Sequence, residues 1–259
     1  MYLLTDEQTI DDLRIFSKRD SAGIFDLYNN THTRGGQVEL ENAFRTPLCD
    51  LQEINRRSGI IGHFAKLELV FPFDVALFDM AEKYLANQQG AGQHTRQTLS
   101  EKDIQHGVMA VIGLFRQVRS FTMEPSVSGS GAYSQDRRAI ESLVNDPAFE
   151  PVFAEAHTAK LSYAAITAFD VLLRVRERKK VLELMSHIYT LDMYISVAQV
   201  ALKRKLCFPE ALDSENGEMV IQGLYHPELK NPVANDISIN RNRNLIFLTG
   251  ANMAGKSTF

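Results

Sequence analysis

Apolar residues follow two different patterns, which divide the chain into a long first part and a short second part. Through most of the first two hundred residues they recur at spacings of three and four, as on helices that pack one face against a core. After Phe208 and Pro209 they come in short runs separated by Asn and Gly, which is typical of strands and turns. We therefore predict a mainly α fold, with a multi-helical domain over 1–206 and the first strands of a second domain over 207–259.

Turn signals divide the first domain into helices. The polar, Gly-rich stretch 29–36 predicts a break, and a helix is predicted over 37–44 after it. Thr46-Pro47 ends this helix, because the residue before a proline avoids the helical conformation. The next helix is predicted to begin near Leu51.

Helix starts are predicted at polar residues that precede apolar stripes. Asp74 precedes an apolar face that includes Phe78, and Ser100 with Asp103 resembles a capping box. Ser134 predicts the start of a helix through Val144. The stretches between these helices predict loops, at 87–98 and 125–131.

The longest helical pattern runs from about 159 to 205 and holds two apolar seams with the 3.5-residue period of packed helices. The seams are Leu161, Ala165, Ala168, Leu172 and Val175, followed by Val181, Leu184, Ile188, Leu191, Ile195, Ala198 and Leu202. They differ in phase by one residue. One rigid helix and two helices separated by a charged elbow both satisfy this pattern. For either arrangement, packing within a helical bundle explains the seams better than a self-dimerising coiled coil.

The second part predicts three strands, over 218–223, 237–239 and 245–249, and a phosphate-binding loop after the third. Residues 250–257 fit the Walker A pattern G-x-x-x-x-G-K-[ST]. The glycines let successive backbone N–H groups surround an anion, Lys256 reaches the outer phosphates, and the Ser257 hydroxyl is suited to Mg²⁺. The predicted ATP-binding residues are Gly250, Ala251, Asn252, Met253, Ala254, Gly255, Lys256, Ser257 and Thr258.

Charge and composition set the expectations about partners. The formal net charge is −4, so any contact with DNA requires a local basic patch. The densest basic run is Arg174, Arg176, Arg178, Lys179 and Lys180. It is either a contact to DNA phosphates or a solvated helix face, and the net negative charge favours the latter.

Two cysteines, Cys49 and Cys207, lie far apart without metal-ligand spacing. The N-terminal residues carry no signal-peptide pattern, and no apolar stretch is long enough to cross a membrane. We therefore expect a cytoplasmic protein with no membrane partner.

Several segments together resemble the MutS family of DNA mismatch repair ATPases. Residues 249–258 are similar to the family's T-G-P-N-M-[AG]-G-K-S-T, with Ala251 in place of the proline. Residues 233–237 resemble its V-P-N-D-I, 225–227 its R-H-P, and 191–198 its L-D-V-L-x-S-[LV]-A. Residues 24–36 look like the start of the family's core domain.

This resemblance implies a helical core and lever domain, then the first strands of an ABC-type ATPase domain interrupted at its phosphate loop. The helical core would couple ATP state to DNA or partner binding, with ATP and Mg²⁺ as cofactors. DNA, mismatched or branched, and a second copy of the full-length protein would be partners. Pro232 and Val233 would lie beside the adenine, although the family commonly has a stacking aromatic residue at the position of Pro232.

The resemblance has departures. The family's mismatch-reading and connector domains have no counterpart here, which indicates a shortened MutS-like branch. The catalytic base and the second acidic group would lie beyond Phe259, so no catalytic residue is predicted within this chain and we expect no ATP turnover by it alone. The alternative is a non-enzymatic helical DNA-binding or dimerisation scaffold with a vestigial phosphate loop. An unrelated phosphate-loop ATPase with a helical insertion is a third interpretation.

Overall fold

A computed structural model describes residues 2–18, 22–86, 99–128, 131–154, 161–213 and 217–250. The chain divides into two compact units, Met1–Phe208 and Pro209–Phe259. The first unit is helical and the second contains two strands, so the predicted mainly α fold is confirmed.

The first unit is built from α-helices of very different length, with one 3₁₀ and one π-helical segment. The helices are α1 Glu7–Asp12, α2 Ile24–Tyr28, α3 Arg34–Arg45, α4 Leu51–Lys66, α5 Val75–Ala86, α6 Glu101–Thr122, α7 Pro125–Ser128, α8 Ser134–Val144, α9 Glu150–Ala154, α10 Tyr163–Asp170 and α11 Arg178–Arg204. The 3₁₀ helix is Pro147–Phe149, and the π-helical segment is Val171–Arg176.

Helix α11 is the central element of this unit. It packs against α3, α4 and α8, and α5 packs against α6 beside it. The second predicted seam is confirmed from Val181 to Ala198, whose apolar members are buried, whereas Leu202 in the last turn is exposed. The apolar stripe of α6 is buried in the same core, and its capping box is present, with Ser100 and Asp103 exchanging hydrogen bonds.

The predicted break at 29–36 is wrong at its end, because α3 already begins at Arg34. The hydroxyl of Thr33 accepts a hydrogen bond from the Gly36 N–H and caps the helix. A Cβ atom on Gly35 would lie 2.4 Å from the Tyr189 ring, and one on Gly36 would lie 2.3 Å from a carboxylate oxygen of Asp192. These glycines therefore serve close packing inside a helix, not a turn.

Two smaller predictions also require correction. Pro125–Ser128 is a short helix within the stretch predicted as a loop. Helix α8 spans the predicted residues, but Tyr133 occupies its N-cap position without a side-chain bond, so Ser134 is not the cap. The other predicted loop, 87–98, lies outside the described residues.

The question of one helix or two between 159 and 205 is resolved in favour of two. Glu177, with φ −109° and ψ 17°, interrupts the helical path after the π-helical segment. The first predicted seam is only partly right: Leu161 and Leu172 are buried, but Ala168 and Val175 are exposed. Ile166 and Phe169, which the seam left out, are buried as well. The π turn holds an extra residue, which rotates α10 by about 100° relative to a continuous α-helix.

The second unit holds a two-stranded antiparallel sheet. Strand β1 is Met219–Leu224 and strand β2 is Asn235–Ile239, with Ile221 opposite Ile237 and an irregularity in register between Ile221 and Leu224. These two predicted strands are confirmed. The third, 245–249, is wrong, because this segment pairs with neither described strand and a strand requires a partner for its backbone groups.

Candidate functional site

The residues predicted to bind ATP lie almost entirely outside the described part of the chain. Gly250 is described, as an exposed residue without regular secondary structure, and 251–258 fall outside it. The segment before it is exposed as well, including Leu245 and Phe247. Lys256 and Ser257 therefore remain predicted site residues on the basis of the motif alone.

Around the predicted adenine position, the described residues show how the chain between β1 and β2 is held. Asp236 accepts a hydrogen bond of 2.8 Å from the N–H of Gly223, whose φ of +68° suits a glycine. The Asn235 side chain donates to the carbonyl of Val233 at 3.3 Å. The Asn-Asp pair of the family-like segment therefore shapes this hairpin, a role that sequence reasoning missed. Val233 is 86% exposed, beside the partly buried Pro232.

The basic run does not form one surface, because Arg174 points into the protein. Its side chain is only 4% exposed, and the guanidinium pairs with Asp170 at 2.6 Å and lies 5.3 Å from the centre of the Tyr84 ring. Tyr84 donates a 2.7 Å hydrogen bond to the same carboxylate. We call these three residues the Asp170 cluster. Its location leaves Arg174 unsuited to contact DNA phosphates.

Two more members of the basic run are engaged within the protein. Arg178 donates to the carbonyl of Leu85 at 3.0 Å. Lys180 lies 2.9 Å from carboxylates of both Asp146 and Glu177. Arg176 and Lys179 are exposed, so these two are the members of the run best placed for an external anion.

Two of the family-like segments, 24–36 and 191–198, lie against each other around a buried carboxylate. Asp192 of α11 is fully buried and accepts hydrogen bonds from the backbone N–H groups of His32 and Thr33 and from the Thr33 hydroxyl. The His32 ring lies 3.2 Å from the same carboxylate and stacks on Phe71 at 4.9 Å. Asp192 therefore fixes the turn that begins α3.

One turn further along α11, Ser196 completes this connection. Its buried hydroxyl accepts from the N–H of Asn30 and donates to the carbonyl of Tyr28, both at 2.7 Å. Asp192 and Ser196 are four residues apart and so lie on the same face of α11. The spacing of the two polar residues within an apolar seam is the signal that could have revealed their role in the sequence.

Two tyrosines, the buried Tyr84 and the partly buried Tyr189, supply further polar contacts in the helical unit. Burial, and then the hydrogen bond to Asp170, raise the pKa of Tyr84. Burial and the hydrogen bond to Glu82 raise the pKa of Tyr189 in the same way. Both phenols are therefore neutral at physiological pH and act as hydrogen-bond donors that join α5 to α10 and α11.

The described residues contain neither a candidate metal centre nor a membrane span. They hold no group of three or more His, Cys, Asp or Glu side chains with the geometry to bind a metal ion. Within the same ranges, no helix has the length and apolar character that a membrane span requires.

Comparison with known proteins shows partial similarity to DNA mismatch repair proteins named MutS. The chain is 33% identical over 102 residues to the DNA mismatch repair protein MutS of Geobacillus sp. (strain WCH70), over 35% of this chain and 12% of that protein. It is 32% identical over 83 residues to MutS of Pseudothermotoga lettingae, over 30% of this chain and 10% of that protein. For MutS of Desulfitobacterium hafniense, it is 30% identical over 112 residues, over 41% of this chain and 13% of that protein.

The aligned part is thus a small fraction of each relative, and no protein-family model matches the chain. The similarity nevertheless agrees among proteins of several organisms and coincides with the family suggested by the motifs. The comparisons support a MutS-like relationship over about a third of this chain.

Proposed function

We propose that this chain is part of a MutS-like DNA mismatch repair ATPase, in which the helical unit couples the ATP state to the binding of DNA or a partner subunit. The observation that carries the proposal is the loop sequence from Thr249 to Thr258, with Asn252-Met253 at its centre, in a chain similar to MutS proteins. The general phosphate-loop pattern occurs in many kinds of protein. The Asn252-Met253 pair at its centre is much more specific and resembles the MutS family.

The donors in this loop have the chemistry that ATP and Mg²⁺ need. Successive backbone N–H groups from Ala251 to Gly255 would surround the phosphate oxygens, and the Lys256 ammonium would neutralise the outer phosphates. The Ser257 hydroxyl would be a ligand of Mg²⁺, which prefers oxygen donors. Bound ATP supplies a terminal phosphoryl group for transfer to water. The loop would contribute by holding the phosphates in position and neutralising their charge.

The coupling role is supported by the construction of α11. This helix has 27 residues, so it extends about 40 Å at 1.5 Å per residue. A buried contact through Asp192 holds it at its middle, and a partly buried contact through Arg178 holds it at its beginning. It ends at Arg204, shortly before the second unit begins along the chain. A long helix fixed in this way transmits a displacement along its length instead of absorbing it.

The remaining contacts of the proposal follow the family resemblance. Pro232 and Val233 would lie beside the adenine, where the exposure of Val233 leaves it available for contact. Arg176 and Lys179 are the proposed contacts to DNA phosphates, since they are the exposed members of the basic run. The full-length protein is proposed to act as a homodimer.

The decisive experiment is calorimetry of ATP binding in the presence of Mg²⁺. We would compare this chain with a version extended past Phe259, each with and without Lys256→Ala. Lys230→Ala is the matched control, since it removes an exposed lysine of the same unit outside the loop. Binding and hydrolysis by the extended chain, abolished by Lys256→Ala and unchanged by Lys230→Ala, are the expected results.

Failure of the extended chain to bind ATP would contradict the proposal. The phosphate loop would then be vestigial. The scaffold interpretation would remain, and the next experiment would measure DNA binding before and after substitution of Arg176 and Lys179.

A further inference from the structure

The transition from α10 to α11 contains one residue more than a continuous α-helix requires. Continued upstream as an α-helix, the buried seam of α11 would pass through Arg174, Asp170 and Thr167. In the π-helical segment both Arg174 and Leu173 are buried. Before it, the structure buries Phe169 and Ile166, each one residue earlier than the continued seam. The π-helical segment Val171–Arg176 accommodates this offset, and its last hydrogen bond, from the Glu177 N–H to the Leu172 carbonyl, has the five-residue spacing of a π turn.

The interruption after this segment is unfavourable for α11 itself. Glu177 occupies the N-cap position, but its side chain makes no capping hydrogen bond, so the first N–H groups of the helix lack that partner. The first turn contains Arg178, Lys179 and Lys180 and no acidic residue. Positive charges at a helix N-terminus oppose the helix dipole. Contacts elsewhere must therefore hold the two helices in this arrangement.

The Asp170 cluster supplies such contacts at the junction itself. Asp170 is the last residue of α10 and Arg174 belongs to the π-helical segment, while Tyr84 reaches them from α5. The side chains of Asp170 and Arg174 are 13% and 4% exposed, so water has little access to replace their partners. Buried ion pairs depend strongly on each of their hydrogen bonds.

Some buried hydrogen-bond donors at this junction have no partner in the described part of the chain, which reduces the free-energy difference between the observed arrangement and an opened one. The Nε atoms of Arg174 and Arg178 are buried and have no hydrogen-bond partner among the described residues. A buried donor without a partner is a cost that opening of the site would relieve. The π turn, with two arginine Nε atoms beside it that are buried without a partner in the described ranges, therefore differs from α11, whose seam is apolar and closely packed.

We propose that Val171–Arg176 is a hinge between α10 and α11, and that the Asp170 cluster holds this hinge closed. When Tyr84 and Arg174 release Asp170, α10 moves as a unit while α11 stays folded. The inference concerns the helical unit alone and does not depend on ATP binding.

Hydrogen exchange of backbone amides, measured by mass spectrometry on peptides covering 163–176 and 184–200, tests this proposal. Tyr84→Phe removes only the hydroxyl that bonds Asp170. Because a hydrogen bond to a charged group is involved, we expect exchange over 163–176 to accelerate about tenfold, without change over 184–200. Tyr189→Phe is the matched control, since it removes a 2.7 Å hydroxyl bond to Glu82 of the same helix α5. It should leave 163–176 unchanged.

A deletion tests the hinge from the opposite direction. Val175 is exposed, and removing it takes out the extra residue while keeping Leu173, Phe169 and Ile166 on the buried face. We expect exchange over the former π turn to slow to the level of α11. If circular dichroism shows that this deletion variant does not fold, the two tyrosine variants decide alone. The proposal would be overturned if Tyr84→Phe did not accelerate exchange over 163–176, or if it accelerated exchange equally over both peptides. Faster exchange over the former π turn in a folded deletion variant would also overturn it.

Discussion

The two units of this chain achieve structure in different ways. In the helical unit, apolar side chains from many helices meet in one core, and α11 contacts three other long helices along its length. In the described part of the second unit, no residue is buried, and order comes from the β1–β2 ladder and local turns. A two-stranded sheet alone is marginally stable in water. The comparison shows that similar apolar runs acquire regular structure where another element packs against them or pairs with them.

The strongest test of this contrast is a cavity in the helical core. Phe149 is fully buried in the 3₁₀ helix, with its ring 4.5 Å from that of Phe115. Phe149→Ala should lower the free energy of unfolding by about 3–5 kcal/mol, because it removes apolar contact and leaves a cavity. Urea denaturation followed by circular dichroism at 222 nm measures this loss. A change under about 1 kcal/mol would show that this end of the core is loosely packed.

The second test concerns the polar connection between α11 and the start of α3. Asp192→Asn replaces a buried acceptor by an amide whose NH₂ group faces donors from His32 and Thr33. We expect a loss of about 3 kcal/mol, since a buried charge-assisted network is broken. The control Asp79→Asn changes an exposed carboxylate and should alter stability by less than about 0.5 kcal/mol. Equal effects of the two substitutions would contradict a structural role for Asp192.

Much of the helical unit could be predicted because its signals are local. The capping box at Ser100 and the seam of α11 each depend on residues within a few turns of one another. The first seam was only partly right, because apolar residues also lie on the exposed side, at Ala168 in α10 and Val175 in the π-helical segment. Only the extra residue of the π turn decides which stripe is buried, and that choice depends on packing against distant helices.

Long-range contacts explain the other differences between prediction and structure. Arg174 looked like part of a basic surface, but its partner Tyr84 lies ninety residues earlier in the chain, and only the fold brings them together. The pair Asp170–Arg174, at a four-residue spacing, was the one local signal of an internal ion pair. Residues 245–249 have the composition of a strand, but composition does not supply a neighbouring strand.

A third test uses pH to examine a local contact on the surface of the helical unit. Hydrogen bonds from Lys83 and Ser100 lower the pKa of Asp103 to about 2, from an ordinary value of 3.8. Because the folded pKa is the lower one, the ionised carboxylate stabilises the fold above pH 3.8, and this contribution is lost as the pH falls toward 2. Urea midpoints of the native chain and Asp103→Asn should differ at pH 7 and converge toward pH 2. A difference that persists at pH 2 would assign the effect to something other than ionisation.

The smallest expected change in stability is that of Phe247→Ala in the second unit. This substitution is the direct counterpart of Phe149→Ala in the helical unit. Phe247 is 86% exposed, whereas Phe149 is fully buried, so the same Phe→Ala change removes almost no apolar contact. Phe247→Ala should change the urea midpoint of the helical signal by an amount equivalent to less than about 0.5 kcal/mol. A loss comparable with that of Phe149→Ala would show that the run from Leu245 to Leu248 is covered in solution. In that case the apolar residues of both units would be buried, and burial would no longer distinguish the two units. The segment before the phosphate loop would then have another element to pair with as a strand.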